Sequence, residues 1–529
     1  MKTLAFLILA TWPMAAQAVP GWNQQLPLPS AVAGQGPWYG IGFWAGDHHG
    51  PAVTLTDSLG LGNGLTGGGF HLEGGLLLGD WDIAAEVLGN RDDQGQAYLT
   101  LYRSHIWRRG ASGWQGGFQQ EPLVWGYGLN GGYLLGEAAR PFPRARLESP
   151  MADLHLGRVP LGRWGFDVFM GRLENHPQMP ATIQDLSWRQ RAVALQGDPE
   201  APMLSGYRVQ ATFGPLMEFY LNYINLWSGT LDGKGLTDGY NLRDYLVAMT
   251  GFKDSIAEAN TDWSQPGGTG HSTGKLHSAS EIDVGFRLQA PGLANAWKAD
   301  AVHFYVSRGS KQEVWPVGVF LENPVRYLAR DVKRDVDNAV ISPNWGNTWA
   351  QNSRYAAPSL GLPNDTVGVQ VTWPRLRAGL EYYSGVNPAS SLYRTFTHGL
   401  YLTGFYYYGD PLGNALGGEA VVTTAKVEAD FTPRCTGALT VWRGFRPFRD
   451  NLDYWQLDHP GQRAFKDRFT GAQQTLAWKS GEATTVSLGA AWMRQEAVEY
   501  VAGQAGNGFA WFADVSHRWP SRHIPGWSD

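Results

Sequence analysis

The sequence predicts an all-β protein: a transmembrane antiparallel β-barrel of about eighteen strands, with one short helix and long loops obstructing its lumen. Three observations carry that prediction. From about residue 37 to 519, short segments alternate apolar and polar residues between Gly-, Asp- and Pro-rich turns. The chain holds 24 Trp, 22 Tyr and 68 Gly, and a barrel uses aromatics as girdles at both membrane interfaces. The opening residues also carry an export pattern: Lys2, the apolar run Leu4 to Ala10, and the small-x-small site Ala16-Gln17-Ala18. That run is too short for a membrane anchor, which needs roughly 20 apolar residues.

Length and composition narrow the class. At 529 residues the chain exceeds the ~250–300 residues over which one soluble core grows. No composition break, Ser/Pro linker or charge block divides it. A single barrel resolves this, because strand number and loop length set its size. A mean hydropathy of −0.29 argues against a helical membrane bundle but suits a barrel with a polar lumen. The formal net charge of −5 excludes a strongly basic, nucleic-acid-type surface. Cys435 is the single cysteine, so there is neither an internal disulfide nor a Cys-based metal site, and no Cys follows the signal to accept a lipid anchor.

The predicted layout is a signal peptide over 1–18, a periplasmic N-terminal segment over 19–36, the barrel over 37–519, and a tail over 520–529. Two strands show the alternation almost without fault. In Glu281–Ala290, Ile282, Val284, Phe286 and Leu288 share one face while Glu281, Asp283, Arg287 and Gln289 take the other. In Val421–Phe431 the outward set is Val421, Thr423, Ala425, Val427, Ala429 and Phe431, opposite Val422, Thr424, Lys426, Glu428 and Asp430. Mixed charges facing a thin apolar side suit a wall between lipid and a wet lumen. A soluble sandwich strand shows the same alternation with its polar face outward.

Other strands are predicted near 37–45, 67–76, 80–89, 95–107, 151–159, 163–173, 205–214 and 216–227. Further ones fall near 297–307, 314–321, 366–373, 375–384, 400–408, 435–443, 470–478 and 483–493. The closing strand, Phe509–Trp519, places Phe509, Trp511, Val515 and Trp519 together. Short turns such as Lys479-Ser480-Gly481-Glu482 and Thr432-Pro433-Arg434 are expected on the periplasmic side. The long connections 176–204, 228–280, 322–365 and 444–468 are expected outside the cell. Up-down alternation leaves the side of 385–418 open.

One segment has helical spacing. In Tyr240–Thr250, Leu242, Tyr245, Leu246 and Met249 recur at i, i+3, i+4 and i+7, with Asn241 or Asp238 as N-cap and Gly251 beyond the end. Inside the longest loop, this helix is expected either to plug the mouth or to pack on the rim; the layout above counts it as a plug.

The usual catalytic signatures (G-x-S-x-G, H-E-x-x-H, Walker A) do not occur. Asp47-His48-His49 between Gly46 and Gly50 reads as a turn with exposed histidines rather than a metal site, and no metal or other cofactor is expected. The expectation is a non-enzyme. Sugar binding has a physical basis: pyranose C–H faces stack on indole and phenol rings while hydroxyls reach carboxylates and guanidinium groups. The loops offer Trp227, Trp263, Trp315, Trp345, Trp349, Tyr355 and Trp455, with carboxylates at Asp232 and Asp238. The polysaccharide-binding candidates are therefore Trp227, Trp263, Trp345, Trp349, Asp232 and Asp238.

Four segments together resemble the Wzi family of capsule-assembly outer-membrane proteins. They are LVWGYGLNGGYLLGEAARPFPRARLES (Leu123–Ser149), FDVFMGRLENHPQMP (Phe166–Pro180), FYLNYINLWSG followed by LRDYLVAMTGFKDS (Phe219–Gly229 and Leu242–Ser255), and YGDPLGNALGGEA (Tyr408–Ala420). The resemblance implies an 18-stranded barrel with an obstructed lumen, acting as a lectin that holds capsular or extracellular polysaccharide at the cell surface. Outer-membrane lipid and capsule-export machinery are the other implied partners. It places weight on Trp125, Gly126, Arg140, Pro141, Glu174, Trp227 and Gly417, with Arg140 and Glu174 as a lumenal ion pair and Gly126 and Gly417 as backbone requirements. There is one departure: residues 19–36 are too few for the periplasmic helical bundle of the family's best-known branch, so contact with export machinery through that element is not carried over. The rival functions are a porin or sugar channel and an outer-membrane enzyme acting on glycan or lipid.

Overall fold

The structure is a computed structural model, describing residues 28, 37–49, 67–91, 97–129, 131–136, 141–173, 200–231, 234–250, 278–311, 365–385, 406–407, 410–413, 420–446, 467–481, 483–498 and 501–519. Its wall begins with β1 (Trp38–His49), β2 (Gly67–Leu78), β3 (Trp81–Arg91), β4 (Ala97–Arg109) and β5 (Gln115–Gln120). Then come β6 (Arg144–Glu148 continued by Ala152–Leu156), β7 (Val159–Arg172), β8 (Met203–Phe213) and β9 (Met217–Trp227). The far side is β10 (Ser278–Gln289), β11 (Ala301–Lys311), β12 (Asp365–Trp373) and β13 (Leu376–Ser384). The circuit finishes with β14 (Val421–Thr432), β15 (Cys435–Arg446), β16 (Asp467–Ser480), β17 (Thr484–Gln495) and β18 (Gly506–Trp519).

Every strand pairs antiparallel with its neighbours in sequence, and β18 pairs with β1 from Tyr39↔Trp519 to His49↔Phe509. Both pieces of β6 pair with β7, one above the other, so 19 strand segments make a closed wall of 18 positions. Closure leaves no sheet edge, the condition for β structure to cross a bilayer.

The faces are inverted relative to a soluble protein. Phe43, Leu72, Leu99, Phe118, Phe166, Leu380, Leu439 and Leu488 are exposed on the outer face. His71, Glu86, Asp167, Asn222, Asp283, Glu381 and Gln473 are buried inside. Apolar outside and polar inside is the signature of a membrane wall. Strict alternation in β14 puts Val427 and Phe431 outside and Thr424 and Glu428 inside. In β10 Leu288 is exposed and Asp283 buried as expected, while Ile282 and Val284 are buried beside the neighbouring strands. At the short-turn end, outward aromatics gather: Tyr39 stacks on Trp519 at 5.0 Å, and Trp164 meets Phe213 edge-on at 6.0 Å.

Several expectations change. Of the predicted 400–408 strand, the described part, Tyr406–Tyr407, pairs with Asp410–Pro411 and not with the wall. The described ends of the 385–420 connection meet at the long-connection end, where the Gly385 amide donates to Ala420 O at 2.9 Å. The short strand β5 and the first piece of β6, Arg144–Glu148, join the wall, although neither is among the strands predicted from alternation. A short helix α2 (Pro291–Ala296) fills the β10–β11 turn, its Pro lying near the start where a missing N–H costs nothing. The 314–321 strand lies outside the described residues.

The helix α1 (Leu242–Thr250) forms, but it is not a plug. Asn241 and Asp244 cap its start reciprocally: the Asp244 amide donates to Asn241 Oδ1 at 3.0 Å and the Asn241 amide to Asp244 Oδ2 at 3.2 Å. Asp238 instead accepts from the Gly235 amide at 3.0 Å. The other end rests on the wall. Asn225 Nδ2 donates to the carbonyls of Ala248 (2.5 Å) and Met249 (3.3 Å), and the Tyr207 hydroxyl donates to Met249 O at 3.3 Å. By alternation with the lumenal Leu204, Gly206 and Ile224, Tyr207 and Asn225 point outward. Wall side chains on the outer face thus satisfy the helix's terminal carbonyls. Ala248 is buried against them, while Leu242, Tyr245 and Leu246 remain exposed. The helix sits on the rim, outside the lumen.

Candidate functional site

The lumen is obstructed by a loop. β5 stops at Gln120, opposite Ser104, well below the top of β4. From there the described residues of 121–136 turn inward and fold into a small hairpin. The Trp125 amide donates to Leu135 O at 3.0 Å, and the Gly131 amide donates to Gly128 O at 3.2 Å. Glycine is required where the hairpin's arms cross. Gly126 adopts φ 154°, and a Cβ there would lie 2.5 Å from Gly132 Cα.

The base of this hairpin is tied to β6 and β7. Trp125 Nε1 donates to Asp167 Oδ2 at 3.0 Å, and Arg146 forks onto both oxygens of the same carboxylate at 2.7 Å each. Trp125 packs on Phe169 with ring centres 5.1 Å apart, and Phe142 packs on the same ring at 5.7 Å. Beyond this, Asn222 Nδ2 on β9 donates to Trp125 O at 3.3 Å, and Gln370 Nε2 on β12 donates to Tyr127 O at 3.1 Å. At the tip, the Leu129 amide reaches Glu381 Oε2 on β13 at 2.5 Å, and the Tyr305 hydroxyl donates to the same oxygen at 2.8 Å. β13 lies nearly half the circumference from β5, so the segment crosses the barrel. The 410–413 turn meets it there: the Gly136 amide donates to Leu412 O at 2.6 Å, and Leu412 is fully buried.

The remaining lumen is filled by charge. On β3, Glu86 is bonded by Arg103 of β4 and by His71 Nδ1 of β2 at 3.1 Å. His71 Nε2 continues to Asp514 of β18 at 3.3 Å, and Arg518 of β18 forks onto Glu73 of β2. These side chains cross over β1 because β1 presents glycines there. A Cβ at Gly42 would lie 1.8 Å from His71 Nε2. A bulge at Tyr102 lets Arg103 face inward opposite Glu86. Lower down, His105 bridges Glu121 (3.0 Å) and Asp82 (3.4 Å), and Glu121 Oε2 accepts the Leu28 amide at 3.1 Å. Leu28 is the one described residue of 19–36, and it is buried inside the barrel. His71, Glu73 and Glu86 are close enough to resemble a metal site, but Arg103, Arg518 and Asp514 bond the same atoms, so the group reads as an ion-pair chain.

Of the expected site residues, Trp125, Gly126, Pro141, Trp227 and Asp238 are among the described residues, and these fall in two places, the crossing segment and the rim. Trp125, Gly126 and Pro141 belong to the crossing segment, with Trp125 and Pro141 buried. Trp227 lies on the outer face at the long-connection end, buried, its Nε1 donating to Ser205 Oγ at 2.8 Å. Its indole therefore offers no open ring face for a sugar. Asp238 is exposed on the rim beside α1. Arg140, Glu174, Gly417, Asp232, Trp263, Trp345 and Trp349 lie outside the described residues. The sequence reading missed Asp167, Glu381 and Glu86, which hold the lumen's contents. Asp167 and Glu86 sit in alternating strands where a charge among inward positions was visible; their partners were not.

The fold and the crossed lumen define an outer-membrane type β-barrel whose interior is occupied by its own chain. No family model matches the sequence, and no curated protein matches it. Among solved structures, the fold is similar to that of Wzi of Escherichia coli, an outer-membrane protein involved in group 1 capsule assembly and a carbohydrate-binding β-barrel. The TM-score is 0.56 at 12% identity, over 91% of this chain and 84% of that one. The Pseudomonas aeruginosa barrels OccD3 and OprD align over 95% and 94% of this chain, but at TM-scores of 0.42 and 0.41 and identities of 7% and 8%. The shared fold is Wzi-like.

Proposed function

We propose that this protein is an outer-membrane barrel that binds and anchors or assembles capsular or extracellular polysaccharide at the cell surface, without catalysing a reaction. The observation that carries the reading is the lumenal hairpin around Trp125 and Leu129, bonded at one side to Asp167 and across the lumen to Glu381. A barrel filled by its own chain is suited to presenting loops rather than to passing solutes. The Wzi-like fold supports the same reading, since that relative binds carbohydrate. In this reading the sugar contacts are drawn from Trp263, Trp345, Trp349 and Asp232 in the long connections, with Asp238 on the rim; Trp227 supports the rim from behind. Export through a cleaved signal and a surface position for the long connections belong to the same proposal.

The test is the partition of polysaccharide between cell pellet and medium, with and without the gene. Release of polymer into the medium at unchanged synthesis is the expected result; an unchanged partition overturns the reading. One observation favours a channel instead: the charged and imidazole side chains from Arg103 to Asp514 line a polar strip of wall. Steady single-channel conductance of the purified protein would decide for it.

A further inference from the structure

On the outer face at the long-connection end, three arginines converge where a membrane wall is expected to be apolar. Arg443 on β15 and Arg494 on β17 stand at one level, each paired across the sheet with Thr470 of β16. That puts their Cα atoms two strand spacings apart, about 10 Å. Arg468 stands one outward position further along β16, level with Phe445. Alternation with the lumenal Trp442, Phe469 and Met493 fixes all three as outward, and all three are exposed. Arg468 has an exposed ion pair with Glu496 at 3.4 Å; among the described residues Arg443 and Arg494 have no carboxylate partner. A cavity of about 340 Å³ lies against them, its other wall made by the outward cluster of Tyr382, Val421 and Phe445.

The surroundings say what belongs there. One outward position below the arginines, Val441 and Trp492 are exposed, and Leu439 and Leu488 follow. The arginines therefore crown the apolar belt at the depth of lipid head groups. A phosphate there supplies acceptors for two guanidinium groups that have no carboxylate partner among the described residues, and Arg binds phosphate through paired hydrogen bonds. The Tyr382–Val421–Phe445 floor supplies the apolar contact for the rest of a head group. We infer that Arg443, Arg468 and Arg494 form an outer-face site for a phosphorylated glycolipid of the surrounding leaflet. The site is distinct from the lumen and from any polysaccharide contact of the long connections; it rests on the barrel spanning an outer membrane with its long connections on the cell surface, and not on polysaccharide binding.

The test uses the full-length protein in detergent micelles, titrated with bis-phosphorylated lipid A and with the same lipid after phosphate removal, binding being read by native mass spectrometry. Wild type is expected to hold the phosphorylated lipid at least roughly tenfold more tightly than the dephosphorylated one, and the triple variant R443Q/R468Q/R494Q to lose that preference. Equal binding of both lipids by wild type overturns the inference without any variant. A folded triple variant that keeps the preference, shown by unchanged heat-modifiable migration, also overturns it. Competition by millimolar inorganic phosphate alone would show a free-anion site instead. Loss of acidic-polysaccharide binding with lipid binding intact would assign the arginines to polysaccharide. Because polysaccharide partition is scored separately, failure here leaves the proposed function standing, and the reverse holds too.

Discussion

The two sides of the lumen are filled in different ways. Along β6 to β13 the space is taken by backbone: the hairpin's carbonyls accept from Asn222 and Gln370, its Leu129 amide donates to Glu381, and Trp125 packs at a tilt on Phe169. Along β18 and β1 to β4 the lumenal face is instead lined by side chains linked in series through Arg103, Glu86, His71 and Asp514, and the described loop residues reach it at His105, which meets Glu121. Both satisfy buried polar groups, but they fail differently. A loop can leave the lumen as a unit and open it. An ion-pair chain cannot leave; losing one member strands a buried charge.

That contrast orders the expected effects. Replacing residues 124–135 by a short Gly-Ser link should have the largest consequence: a barrel silent in planar bilayers becomes one with steady conductance. Silence after the deletion would show that the remaining contents close the lumen without the hairpin. On the other side, Glu86→Ala leaves Arg103 and His71 facing each other without their shared carboxylate. The expected loss is about 3–5 kcal/mol, read as a lower urea midpoint for unfolding from vesicles, with no gain in conductance. Gly42→Val drives a side chain into His71 and should cost about 1–3 kcal/mol by the same measurement. If it cost nothing, the chain across β1 would not be the tight element described. The smallest effect is expected outside the lumen. Asn225→Ala frees the last carbonyls of α1, at about 1–2 kcal/mol confined to the rim, seen as faster hydrogen exchange in 242–250 with the barrel's midpoint unmoved.

The wall was largely legible in the sequence because alternation is a local signal. Val421–Thr432 and Gly506–Trp519 could be assigned to faces one residue at a time. β5 was missed because Gln115–Gln120 has no apolar alternation, carrying one outward Phe118 among Gly and Gln. In the 400–408 segment a run of aromatics reads as a wall strand, but its described part, Tyr406–Tyr407, pairs with Asp410–Pro411 in a tight turn. The helical spacing of Leu242, Tyr245 and Leu246 was legible as well, but its meaning was not. That face is turned outward, away from the wall, and the helix is held by Asn225 and Tyr207 through its carbonyls.

The sequence by itself determined the barrel, its two faces, and the turns that join its strands, because a period of two residues assigns inside and outside within each segment. Only the tertiary structure decided what fills the barrel. The bond between His71 and Asp514 joins residues 443 positions apart, and Glu381 meets an amide 252 positions away. Such pairings depend on which strands become neighbours when the wall closes and on where glycines leave room, and no local pattern encodes either.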